Sequence, residues 1–132
     1  MAKKYTSDLF VKNGGTSTQM LMADGSVLDK DHATLIDTIV LGSSRSLILS
    51  DRNKNIENNN SITITVPLHD DVPFPIGTQI FFTKKEETIN FVASGGVTIN
   101  SVDSLLEMGR INCGASLLKI GEDEWNLIGE LV

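Results

Sequence analysis

Six residues in mid-chain, Ser61-Ile62-Thr63-Ile64-Thr65-Val66, alternate hydroxyl and apolar side chains without a break. Successive side chains of an extended strand point to opposite faces, so Ile62, Ile64 and Val66 share one face and the hydroxyls the other. A helix would scatter the same residues around its surface. Pro67 closes the run, because it cannot donate to a strand ladder. The pattern recurs with variations downstream. Strands are predicted at 78–83 and 88–93, with Lys84-Lys85-Glu86-Glu87 as an exposed hairpin loop, and at 97–100 after the turn Ser94-Gly95-Gly96. Residues 115–120 and 125–128 form a further pair joined by Gly121-Glu122-Asp123-Glu124. Residues 35–41 and 46–50 form another, joined by Gly42-Ser43-Ser44-Arg45.

Helix signals are weak. Residues 103–108 could make one turn stopped by Gly109, and 29–36 another with Asp29 or Asp31 as cap. Short strands separated by turn residues predict an all-β fold, a small β-sandwich or jelly-roll-like head. Residues 1–33 are more polar, with turn signals at Asn13-Gly14-Gly15 and Asp24-Gly25-Ser26, and read as an extended N-terminal arm. Residues 34–132 are the β-rich head. Its expected core is Ile62, Ile64, Val66, Phe81, Ile89, Phe91, Ile99, Leu118, Ile120 and Trp125, with either Phe81 or Phe82 pointing inward. The Trp125 indole N–H is expected to bond a backbone carbonyl.

Eleven Lys and Arg face seventeen Asp and Glu, a formal charge of −6. An acidic chain lacks the electrostatic footprint for phosphate backbones or anionic lipid, so neither nucleic acid nor membrane surface is an expected partner. No apolar run approaches the roughly 18 residues of a membrane span. Met1-Ala2-Lys3-Lys4-Tyr5 reads as a true start without a signal peptide. The single cysteine, Cys113, excludes an internal disulfide and reads as a buried, inert thiol.

The residues that could carry chemistry are few. His69-Asp70-Asp71 could be a fragment of a metal site, but a site needs three or four converging ligands, and a polar turn is the simpler reading. His32 reads as a solvated or capping residue. No Gly-x-Ser-x-Gly elbow is present, and Gly14-Gly15 and Gly95-Gly96 do not extend to a phosphate loop. Glu122, Asp123 and Glu124 crowd one turn, whereas glycosidic cleavage needs two carboxyls facing each other across about 5–9.5 Å. The stretch 52–60, with five Asn in nine residues, reads as a surface loop or as a glycan-contacting loop. Aromatic residues are five Phe, one Tyr and one Trp, a short supply for stacking platforms. No catalytic, cofactor-binding or metal residue is assigned, and no enzyme activity is expected.

The run Phe10-Val11-Lys12-Asn13-Gly14-Gly15-Thr16-Ser17-Thr18-Gln19-Met20-Leu21-Met22-Ala23-Asp24-Gly25-Ser26-Val27 resembles a stretch of bacteriophage fibre and spike proteins, V-K-x-G-G-T-S-x-Q-x-L-x-A-D-G-S, that precedes a β-rich head. Further on, Pro75-Ile76-Gly77-Thr78-Gln79-Ile80 resembles the P-x-G-T-x-I step of tail-fibre heads. Gly96-Val97-Thr98-Ile99-Asn100 is similar to their G-V-T-I-x hairpin. Lys119-Ile120-Gly121-Glu122-Asp123-Glu124-Trp125-Asn126-Leu127-Ile128-Gly129-Glu130-Leu131 is similar to their closing strand pair.

The resemblance implies a parallel homotrimer located in the virion and assembled in the host cytoplasm. It implies attachment to other virion proteins through the N-terminal arm, and host attachment through a surface glycan as a further contact. The chain lacks shaft repeats and a large anchoring domain, so a tail fibre, a head fibre or a capsid decoration all fit. Three arms on one axis would bury Phe10, Val11, Met20, Leu21, Met22 and Val27, each worth roughly 1.5–3 kcal/mol. A closed oligomer would also hide sheet edges. The alternatives are a carbohydrate-binding module and a small glycan-cleaving enzyme of a phage.

Overall fold

The structure, a computed structural model, describes residues 19–24, 26–29 and 35–132. The chain divides into two units, Met1–Leu35 and Ile36–Val132. In the first, β1 (Gln19–Leu21) and β2 (Val27–Asp29) pair antiparallel. Asp24 shapes their turn, its carboxylate accepting from the Ser26 N–H at 2.9 Å and from the Ser26 hydroxyl at 2.6 Å. These two bonds hold the Asp24 carboxyl below the usual carboxylate range. Asp29 ends β2, and residues 30–34 of the turn predicted at 29–36, Asp31 and His32 among them, lie outside the described residues, as do Phe10 and Val11.

The second unit is all β. Its strands are β3 (Thr38–Leu41), β4 (Arg45–Ser46), β5 (Asn55–Asn58), β6 (Ile62–Val66), β7 (Gln79–Thr83), β8 (Ile89–Ala93), β9 (Thr98–Asn100), β10 (Gly114–Gly121) and β11 (Glu124–Gly129). Two short 3₁₀ turns, Leu49–Asp51 and Val102–Ser104, complete it, and no α-helix occurs among the described residues. The turn predicted at 103–108 is replaced by that second 3₁₀ piece. Asp103 and Ser104 take left-handed angles there, and Glu107 and Met108 go on to bridge Asn90 and Leu131.

Six strands form one sheet in the order β3-β5-β7-β10-β11-β9, and three form another, β4-β6-β8. From β3 to β8 the chain alternates between the sheets, and each return is parallel to the strand before it. Parallel neighbours need a long crossover, usually a helix. Here the crossover is a strand of the opposite sheet, so the chain advances as stacked rungs. Inward rows run across them: Ile39 beside Ile56 beside Phe82 on one side, Ile62 beside Ile89 and Ile64 beside Phe91 on the other. These rows close on a single buried cluster shared by both sheets.

This order differs from the antiparallel pairs predicted at two places and from the antiparallel strands of a jelly roll. The charged link 84–87 is not a hairpin loop. It is a corner from one sheet to the other. Residues 42–45 form such a corner too. The physical reason lies in the Asn-rich stretch, read above as a loop. Its centre is β5, a strand inside the large sheet, with Ile56 fully buried. Asn58 is buried as well. Its amide nitrogen donates to Asn60 O at 2.9 Å and Glu87 O at 2.8 Å, and its oxygen accepts from the Lys85 N–H at 2.9 Å. Asn60 donates to Gly42 O at 3.2 Å, and the Thr63 N–H donates to the Ser44 hydroxyl at 2.8 Å. Each corner is thus tied to the next rung by a short polar side chain. Buried polar groups are stable only when their bonds are made, and these are.

The expected hairpin at the end does form. β10 and β11 pair antiparallel, and β9 adds to β11 in parallel. The core assignments hold for Ile62, Ile64, Val66, Ile89, Phe91 and Trp125. Phe82 points inward, so Phe81 lies on the outer face. Ile99 is half-buried against the core. On β10 the inward residues are Ala115, Leu117 and Lys119; Leu118 is half-buried and Ile120 is exposed, contrary to expectation.

Candidate functional site

Lys119 occupies an inward position of β10 opposite Trp125 of β11 and is 1% exposed. A lysine there must find acceptors, because an unpaired buried charge is very costly. They come from the segment 67–77 between β6 and β7. The Lys119 Nζ lies 2.8 Å from His69 Nδ1 and donates to Phe74 O at 2.9 Å. It also sits 5.7 Å from the centre of the Trp125 ring, within cation–π range. The Phe74 and Trp125 rings meet edge to face at 5.5 Å, and both are fully buried. Burial pushes the Lys119 ammonium below the usual lysine range, while the Asp123 and Glu122 carboxylates pull it back up. The segment is pinned twice more: the His69 N–H donates to Asp123 Oδ1 at 2.7 Å, and the Gly77 N–H to Lys119 O at 2.8 Å.

The Trp125 Nε1 has no hydrogen-bond partner among the described residues, so the expected bond to a carbonyl is not made. Instead the indole is held by Phe74 and Lys119. Cys113 is buried, its Sγ 3.8 Å from Glu130 O. Of His69-Asp70-Asp71, the imidazole turns in to Lys119 and both aspartates are exposed. Among the described residues no three His, Cys, Asp or Glu side chains converge as a metal cage. The acidic hairpin tip is committed to structure: Asp123 holds the His69 amide, and Glu124 accepts from the Asn100 side chain at 2.9 Å. Sequence reasoning missed Lys119 and Asn58. The one available signal for Lys119 was a cation placed between two apolar strand residues.

Among the described residues, clefts on the surface include two that could seat a ligand. One, of about 480 Å³, is lined by Leu49, Ser50, Arg52, Asn53 and residues 75–78. Asn53 takes a left-handed φ of 56° there, an angle Asn tolerates. The other, of about 390 Å³, lies across the outer face of the large sheet, beside Asn55, Phe81, Ser116 and Ile128. The first rung is apolar on its outside. Val40 is 58% exposed, and Ile36, Ile48 and Leu49 are also exposed. β3 and β4 are edge strands, each paired on one side only among the described residues. At the opposite end the free edge of β8 is covered, the Phe91 N–H donating to Leu106 O and the Met108 N–H to Ile89 O. Among the described residues no helix is long and apolar enough to cross a membrane. No protein-family model and no curated protein matches the chain.

Proposed function

We propose that this chain is a non-enzymatic bacteriophage virion structural protein: a short trimeric fibre or spike head, displayed on the tail or capsid and contacting the host surface. The observation that carries the reading is the end of the stack at β3 and β4, each paired on one side only among the described residues. A paired-on-one-side strand with Ile36, Val40, Ile48 and Leu49 exposed around it is a surface that isolated soluble domains avoid. Closed rotational symmetry removes such edges, and a homotrimer is the arrangement the fibre-like segments imply. In this reading the head is a small two-sheet sandwich built from rungs, and residues 1–33 attach it to other virion proteins.

Light scattering on the full chain tests the oligomer, with an expected mass of three times the 14.3 kDa chain. A monomer mass at micromolar concentration removes the trimer and with it this reading of the edge. Labelled antibody on intact particles, seen by electron microscopy, tests the location. A glycan contact is the second reading, favoured by the polar cleft beside Arg52 and Asn53. A glycan array reads it, and uniform absence of binding removes it.

A further inference from the structure

We propose that the cleft between the Leu49–Asp51 turn and residues 75–78 binds a carboxylate-bearing sugar, with Arg52 holding the carboxylate. The proposal rests on the glycan reading above and names the class of glycan. The chain has three arginines. Arg45 is paired with Asp51, and Arg110 with Glu130. Arg52 lines the cleft and has no carboxylate within ion-pair distance among the described residues. Its Nε donates to Leu49 O at 3.2 Å, which steadies the guanidinium and leaves its two terminal nitrogens to a ligand. The neighbouring carboxyl, Asp51, is buried and spent on Arg45 and the Ile48 N–H. Among the described residues no Asp or Glu lines the cleft, although the chain has a net charge of −6. An unpaired cation thus stands in an open hollow of about 480 Å³, within the size range of small-ligand sites.

Both walls are set before a ligand arrives. On one, Asn53 takes its left-handed φ of 56°, and its N–H donates to Gln79 O at 2.8 Å, which ties that wall to the start of β7. On the other, Gly77 has a φ of 93° and its N–H donates to Lys119 O at 2.8 Å, while the Thr78 hydroxyl donates to Pro75 O at 2.7 Å. Backbone held in sparsely populated angles by surrounding bonds is characteristic of ligand clamps. The Thr78 N–H donates to Pro75 O as well, so the amides of Asn53, Gly77 and Thr78 are spent and cannot cradle a phosphate. A planar carboxylate needs only the arginine fork, its two oxygens accepting from the two terminal nitrogens. The exposed Ser50 hydroxyl and Asn53 amide offer donors and acceptors to sugar hydroxyls. Leu49 and Ile76, 41% and 67% exposed, offer apolar contact to the C–H face of the ring. Among the described residues no aromatic ring lines the cleft, so a neutral sugar finds little hold and the charged anchor decides what binds.

Two-dimensional NMR on the isotope-labelled full chain tests this, with glucuronate, glucose and phosphorylated glucose as probes. Glucuronate is expected to move the amide signals of Ser50, Arg52, Asn53 and Gly77 saturably. Glucose is expected to leave them in place, and the phosphate ester to bind more weakly than glucuronate. Arg52→Gln is expected to weaken glucuronate binding about tenfold or more, the usual scale for losing hydrogen bonds to a charged group. Arg52→Lys keeps the charge without the fork and is expected to restore binding only in part. Lys85→Gln removes a cation outside the cleft and is expected to bind like the wild type. No saturable shift at the cleft, equal affinity for glucose or the phosphate ester, full binding in Arg52→Lys, or equal losses in Arg52→Gln and Lys85→Gln overturns the site. Should Arg52→Gln fold poorly, the three probes on the wild type decide. A glycan found on the array whose shifts lie wholly outside the cleft overturns this site and leaves the glycan reading standing. An array empty of neutral and acidic glycans alike removes that reading itself.

Discussion

Gly129 closes β11 opposite Ala115, at a φ of +153°. A methyl group built there would lie 2.5 Å from Gly114 O, 2.6 Å from Ala115 Cα and 2.7 Å from Ala115 Cβ. All three atoms belong to β10, the strand that joins the hairpin to the rungs through β7. None is the end of a flexible side chain, so the hairpin itself must open. The Gly129→Ala substitution thus incurs backbone strain of about 1–2 kcal/mol. Displacing a packed neighbour costs about 1–3 kcal/mol more. The expected loss is about 2–5 kcal/mol, or a melting temperature lower by roughly 8–20 °C for a domain of this size. Urea unfolding followed by Trp125 emission measures it, at matched protein concentration because association would add to stability. Gly95→Ala is the comparison. Its added methyl meets nothing within 4 Å, and its effect is expected to lie within about 0.5 kcal/mol of wild type or slightly above it. Equal midpoints for the two variants would refute the reasoning, since Gly129 alone combines the close contacts with a positive φ.

Asp51 is 1% exposed and accepts from Arg45 at 2.7 and 2.8 Å and from the Ile48 N–H at 2.9 Å. Asp51→Ala is expected to cost about 2–3 kcal/mol in the same assay, below the range for a fully buried pair because Arg45 is partly solvated. Asp51→Asn should fall between it and wild type. The Arg110 side chain, 2.7 Å from Glu130, holds the Glu130 carboxyl below the usual carboxylate range. Its contribution is therefore present above the unfolded-state range and is lost as pH falls through the folded one. Urea midpoints of Glu130→Gln and wild type should differ at pH 7, converge as the pH falls below the usual carboxylate range, and converge also in high salt.

How far the fold was legible depends on what each residue's partner is. Strand positions were readable because period two is local. Ile62, Ile64 and Val66 needed nothing beyond their own alternation to be placed inward. Pairing was not readable, because it is set at a distance. A four-residue charged link suits a hairpin, and only the Asn58 side chain, bonded to Lys85 and Glu87 across the corner, directs β8 to the opposite sheet. The same holds for the Asn-rich stretch as a whole. Asn propensity describes loops and turns, and Asn53 obeys it. Burial of Ile56 and Asn58 between two parallel neighbours overrides it.

The hardest position was β10, and it shows where local pattern must fail. Two phases are available to that strand. One buries Ser116, Leu118 and Ile120, and the other buries Ala115, Leu117 and Lys119. Hydropathy favours the first. The neighbours decide for the second: β7 brings Ile80 and Phe82 inward, β11 brings Trp125 and Leu127, and the register sets Leu117 beside Ile80 and Leu127. A slip by one residue would turn a whole apolar row to solvent, a larger loss than one buried amine. Lys119 is thus carried inside by its neighbours and made tolerable by His69 and Phe74, which lie far away in sequence. Positions where a local rule is broken and a distant segment compensates are where proteins keep conditional contacts.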